Sequence, residues 1–161
     1  MKKIYCLLVL LTGFFIASAQ TDSRIFYSQL MVVISDLEKN FEYLKGEEIS
    51  KQGGVGFYET IRSLEGTKDN MIVIDSATSQ YQAVIIDSTS EEGSKLILNS
   101  WRDKLAEALT GMFSPATEFR SENNRGISGY QFSSEKTIIL LLRHKEDNGS
   151  YWINLVIKPK S

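Results

Sequence analysis

Apolar residues recur every three or four positions from Phe26 through Leu30, Val33/Ile34, Leu37 and Phe41 to Leu44. Asp22 or Ser23 stands ahead of them as a cap, and Gly46 follows where a C-terminal glycine belongs. Start, period and stop agree on a helix over 24–45. A second stripe, Ile97, Trp101, Leu105 and Ala108/Leu109, ends at Gly111. Ser88 with Glu91, or Thr89 with Glu92, offers a capping box ahead of it, so a helix is predicted over 90–110.

Between the helices the period changes. GEEISKQGGVG, 46–56, reads as a glycine-rich loop, FYETIRSL, 57–64, fits a short strand or a helical turn, and 65–70 form a polar turn. MIVID and YQAVIID, 71–75 and 81–87, are β-rich and joined by Ser76–Gln80, a hairpin pattern. The last third reads as strands near 116–121, 127–132, 136–144 and 150–158, with Asn148-Gly149 a strong hairpin signal. IILLL, 138–142, is apolar on both faces and predicts a central strand. In the last strand Tyr151, Ile153, Leu155 and Ile157 share one face, and Trp152, Asn154, Val156 and Lys158 the other. No βαβ alternation runs through the chain. The pattern predicts an α+β fold: a mainly antiparallel sheet of about six or seven strands with two long helices (24–45 and 90–110) packed on one face.

The first residues change the picture of location. Lys2-Lys3, an apolar run from Ile4 to Ile16 and the small site Ala17-Ser18-Ala19 have the form of a secretory signal peptide. A membrane-spanning helix needs about 20 apolar residues, more than this run supplies. The sequence therefore predicts residues 1–19 as a cleaved signal peptide and 20–161 as a single α+β domain, exported to the periplasm or beyond. Cys6, the one cysteine, sits at the start of the apolar core and leaves with it. A cysteine-free mature chain has no disulfide, thiolate metal site or cysteine nucleophile. Loss of Lys2 and Lys3 also makes the formal charge of −2 two units more negative. With no basic stripe in view, nucleic acid is not expected as a partner.

Candidate chemistry is sparse. His144, the single histidine, can act as a general base or a ligand, yet no triad-type spacing accompanies it, and a solvated strand-end residue is the simpler reading. Gly53-Gly54-Val55-Gly56 lacks the G-x-x-x-x-G-K-[ST] frame of a phosphate cradle. Glu91 and Glu92 have a sufficient role against a helix dipole. Asn148-Gly149-Ser150 matches a glycosylation acceptor, but the hairpin turn accounts for the same residues. No cofactor or metal is expected.

Trp152 stands apart among the aromatics, because it shares its strand face with Asn154 and Lys158 instead of the apolar set. On an uncovered sheet face it is a candidate interface anchor; the alternative is packing under the Gly53–Gly56 loop. The favoured expectation is a small exported, non-enzymatic binding or accessory protein. Its binding residues would be Trp152, Asn154 and Lys158, on a sheet face or edge that holds an envelope or secreted protein or a small apolar ligand. The alternative is a carboxylate- and histidine-dependent envelope hydrolase using Asp75, Asp87 or Glu118 with His144.

Overall fold

The computed structural model describes residues 24–121 and 126–160. The expected signal peptide lies outside these residues. The chain opens with helix α1 (24–37), followed by strands β1 (Lys45–Gln52), β2 (Val55–Thr60), β3 (Asp69–Ile74) and β4 (Ser79–Thr89). Helix α2 (Glu91–Ala108) comes next, then β5 (Thr117–Arg120), β6 (Ile127–Ser133), β7 (Thr137–Lys145) and β8 (Tyr151–Pro159). Among the described residues the strands form one antiparallel eight-stranded sheet in the order β1-β2-β3-β4-β8-β7-β6-β5.

One pattern, a helix followed by a four-strand meander, is used twice. The two meanders meet where β4 pairs antiparallel with β8, with Tyr81 opposite Ile157 and Ala83 opposite Leu155. The sequence shows no internal repeat, so the symmetry is one of layout and not of residues.

Both helices contribute to one core on the same side of the sheet. Phe26, Leu30 and Val33 of α1 join Leu98, Trp101 and Leu105 of α2, together with Tyr81, Ile139, Ile153, Leu155 and Ile157 from the strands. Phe26 meets Trp101 edge-on, ring centroids 5.6 Å apart, so the helices touch each other as well as the sheet.

Four expectations need correction or extension. First, α1 stops well short of residue 45. Asn40 takes a left-handed φ of 54°; its N–H bonds to Leu37 O while Phe41 N–H reaches Asp36 O, the paired bonds of a Schellman stop. Phe41 and Leu44 keep helical spacing because they fold back into the same core. The buried Asp36 carboxylate holds that turn: its Oδ2 accepts from Tyr43 N at 3.1 Å and Leu44 N at 2.9 Å. Gly46 therefore lies in β1 and not at a helix end.

Second, 46–56 is a hairpin and not a loop. Gln52 pairs with Val55, and Gly53-Gly54 supply the two positive φ values, 56° and 86°, that a two-residue turn between twisted strands requires. Residues 57–60 complete β2, so FYETIRSL is strand only in its first half. Third, the expected sheet of about six or seven strands is close to what is found and is extended by β1, giving eight strands among the described residues. Fourth, α2 is capped by Ser90, whose hydroxyl accepts from Gly93 N at 3.1 Å, and not by Ser88 or Thr89. Those two residues still belong to β4.

Candidate functional site

The helices cover one face of the sheet, and the register identifies what the other face presents. One row runs Trp152–His144–Ile127 across β8, β7 and β6. The next runs Asp69–Val84–Asn154–Leu142–Gly129–Phe119. A third runs Glu59–Met71–Gln82–Val156–Leu140–Gln131, and a fourth holds Phe57–Val73–Gln80 on one side and Lys158–Ile138–Ser133 on the other. An antiparallel sheet with one covered face ordinarily turns polar residues outward. Here apolar side chains are the larger share, and the charged residues within these rows are Glu59, Asp69 and Lys158.

Three of the apolar residues on this face are nearly inaccessible: Val73 at 6%, Val156 at 7% and Leu140 at 9%. They stand outside the helix-side core.

At its upper edge the Trp152 indole stacks on the His144 imidazole, centroids 3.8 Å apart and planes 12° apart. These two are directly cross-strand neighbours on β8 and β7. His144 Nε2 lies 2.9 Å from Oδ1 of the buried Asn154. The amide oxygen accepts, so Nε2 carries the proton and Nδ1 is the basic nitrogen. Burial pushes the His144 pKa below its ordinary value, partly offset by the Asn154 bond and by Glu146. The imidazole is thus held neutral, flat and half-buried by a tryptophan and an amide. The expectation of a solvated strand-end residue is corrected: the cross-strand tryptophan covers it.

Of the three predicted binding residues, the structure brings together Trp152 and Asn154 through His144. Lys158 is on the same face of β8 but lies beyond Val156, opposite Ile138. Packing of Trp152 under the glycine hairpin is also corrected, since β2 is separated from β8 by β3 and β4. The carboxylates of the hydrolase alternative are occupied elsewhere. Asp75 Oδ1 accepts from Ala77 N and Thr78 N within its own turn. Asp87 is held by Lys68 Nζ at 2.7 Å. Glu118 aligns with Tyr130, whose hydroxyl meets Arg102 of α2, on the opposite face from His144. A histidine base needs an orienting group and a nucleophile or water placed by it; here the partner is an amide.

A second polar cluster escaped the sequence. On the helix side, Arg143 Nε donates to Ser94 Oγ at 2.7 Å, its guanidinium sits 3.9 Å over the Tyr151 ring, and Glu91 is 3.8 Å from Nη2. It ties the start of α2 to β7 and β8. No local pattern announces it, because Ser94 and Arg143 are 49 residues apart.

Two clefts open on the helix side. One of about 260 Å³ lies between the helices, with Phe26, Tyr27 and Lys104 in its wall, and one of about 280 Å³ lies beside Phe113 and Phe132. Both fall below the range of about 300–1,000 Å³ usual for small-molecule sites. Among the described residues, no group of three or more His, Cys, Asp or Glu is arranged to hold a metal, and no helix is long and apolar enough to cross a membrane. Comparison with protein-family models, with curated proteins and with solved structures gives no match for this chain.

Proposed function

We propose that this chain is a small exported binding or accessory protein that acts through the uncovered face of its sheet, with Trp152 and the His144–Asn154 pair at the anchor end of that face. The observation that carries the reading is that Val73, Val84, Leu140, Leu142 and Val156 stand on a sheet face over which no helix of the described residues packs. A sheet with one covered face ordinarily turns polar side chains to the other, and an apolar set there is the composition that a contact face has at its centre. Its mixed edge fits the anatomy of an interface: an aromatic anchor beside a buried apolar field, with charge kept to the margin.

The face is favoured over the sheet edges. β1 is rich in charge, carries two register shifts and ends one side of the sheet; β5, at the other side, has four residues and follows Pro115 closely. Charged, bulged or very short edge strands are the devices that discourage strand addition. The partner class is an envelope or secreted protein, or a small apolar ligand. The experiment is affinity capture from the envelope and secreted fractions with the native protein and with Trp152→Ala. Loss of one defined partner in the variant, with unchanged circular dichroism, supports the reading; equal capture by both proteins, or none by either with a monodisperse native protein, contradicts it.

A further inference from the structure

We infer that Asn148, in the turn between β7 and β8, is a self-modification site, at which the folded chain converts its own asparagine into aspartate and isoaspartate with water as the co-reactant. Asn148-Gly149 is the one Asn-Gly step in the sequence; every other asparagine is followed by a residue with a side chain. Both residues are exposed. The inference stands on this turn and not on the reading of the open face.

The turn holds the reacting groups together. Glu146 N–H donates to Ser150 O at 2.9 Å and closes the hairpin. Inside it the Asn148 side chain folds forward over the Gly149 peptide: its Oδ1 accepts from Ser150 N–H at 2.8 Å and from the Ser150 hydroxyl at 2.7 Å. Two donors on one amide oxygen draw electrons from Cγ, and they are already in place where negative charge develops on attack. The adjacent nucleophile is Gly149 N. Beyond its chain neighbours, no atom lies within 4 Å of where a Gly149 Cβ would stand, so nothing crowds the approach. Its N–H donates to Glu146 O at 3.0 Å. That bond, at an exposed loop tip, is the one that opens before reaction.

The step balances without an oxidant or a second protein. Gly149 N gives its proton to solvent hydroxide and bonds to Asn148 Cγ. The oxyanion on Oδ1 is held by the two Ser150 donors. It collapses, the Cγ–Nδ2 bond breaks, and Nδ2 leaves as ammonia after taking a proton from water. Water then opens the cyclic imide at either carbonyl, to aspartate or to isoaspartate. Either product adds a negative charge beside Glu146 and Asp147. Isoaspartate also lengthens the backbone by one carbon, in the turn that sets Lys145 against Tyr151 and His144 against Trp152.

Incubation of the full, folded protein in mildly alkaline buffer tests this, followed by isoelectric focusing and peptide mass spectrometry, beside Asn148→Gln and Ser150→Ala. The native protein is expected to move to a more acidic band, with ammonia lost at residue 148 and both products present. Asn148→Gln is expected to keep its band over the same time. Ser150→Ala retains the backbone donor and loses the hydroxyl one. It is expected to convert about three- to tenfold more slowly with circular dichroism unchanged, the worth of one hydrogen bond to the oxyanion. Retention of the amide at residue 148 in the native protein overturns the inference. So does an equal acidic shift in Asn148→Gln, or conversion of Ser150→Ala as fast as the native chain.

Discussion

The Trp152 indole lies flat on the His144 imidazole, 3.8 Å between centroids, across the β7–β8 ladder. This pair converts the one histidine of the chain from a solvated turn residue into part of a surface. Burial lowers the His144 pKa. The unfolded chain, with a value near 6.5, then binds more protons than the folded one as pH falls through that value. The contribution to stability is complete above about pH 6.5 and is lost from there down toward the folded pKa. NMR titration of the ring should give a midpoint below 6.5, and the loss of Tm on acidification should be smaller in His144→Gln. A midpoint at or above the unfolded value would contradict the burial of the ring.

Asp36 closes the first helix. Its carboxylate accepts from Tyr43 N–H and Leu44 N–H, the second of which also reaches Phe41 O at 3.2 Å. Asp36→Ala should destabilise the protein by about 1–3 kcal/mol, the cost of losing both bonds to the carboxylate and leaving Tyr43 N–H without this acceptor. Urea denaturation with an unchanged m-value checks this. A loss below about 0.5 kcal/mol would mean that the Schellman bonds alone fix the turn.

Tyr81 anchors the 61–68 segment from inside the core. Its hydroxyl donates to Asn70 Oδ1 at 2.6 Å, and that oxygen also accepts from Leu64 N at 3.3 Å. Burial raises the Tyr81 pKa far above the ordinary phenol value. Tyr81→Phe should cost about 1 kcal/mol, since the amide keeps its other bonds. Spectrophotometric titration should leave this tyrosine protonated until the protein unfolds in alkali.

Gly129 sits where β6 passes β7, and an added Cβ there would run into the backbone carbonyl of Leu141. Backbone cannot swing aside as a side chain can. Gly129→Ala should therefore destabilise by about 2–3 kcal/mol or more, as overpacking of a fixed site does. By contrast Gly111→Ala meets open space but a φ of 80°, and should cost only about 1 kcal/mol. Thermal melts of the two variants should rank in that order.

Much of the architecture was legible. The period of α2, the hairpins of the last third and the inward set Tyr151, Ile153, Leu155 and Ile157 follow from spacing alone. The end of α1 was not, because Phe41 and Leu44 preserve the helical period while reaching the core through a left-handed turn. β1 was hidden because an exposed, charged edge strand has no apolar alternation to read. For the site, Trp152 and Asn154 could be set on one face by parity. Their link through His144 depends on the β7–β8 register, which no single strand encodes.

The central claim is that the open sheet face is covered when the protein works. Hydroxyl-radical footprinting of the protein in its native fraction, compared with dilute purified protein, measures this directly. Trp152 and Met71, on the open face, should be protected in the native fraction, while Tyr43 and Leu96, exposed on the helix side, should react equally in both. Equal reactivity of Trp152 in the two samples, or protection confined to Tyr43 and Leu96, would contradict the account.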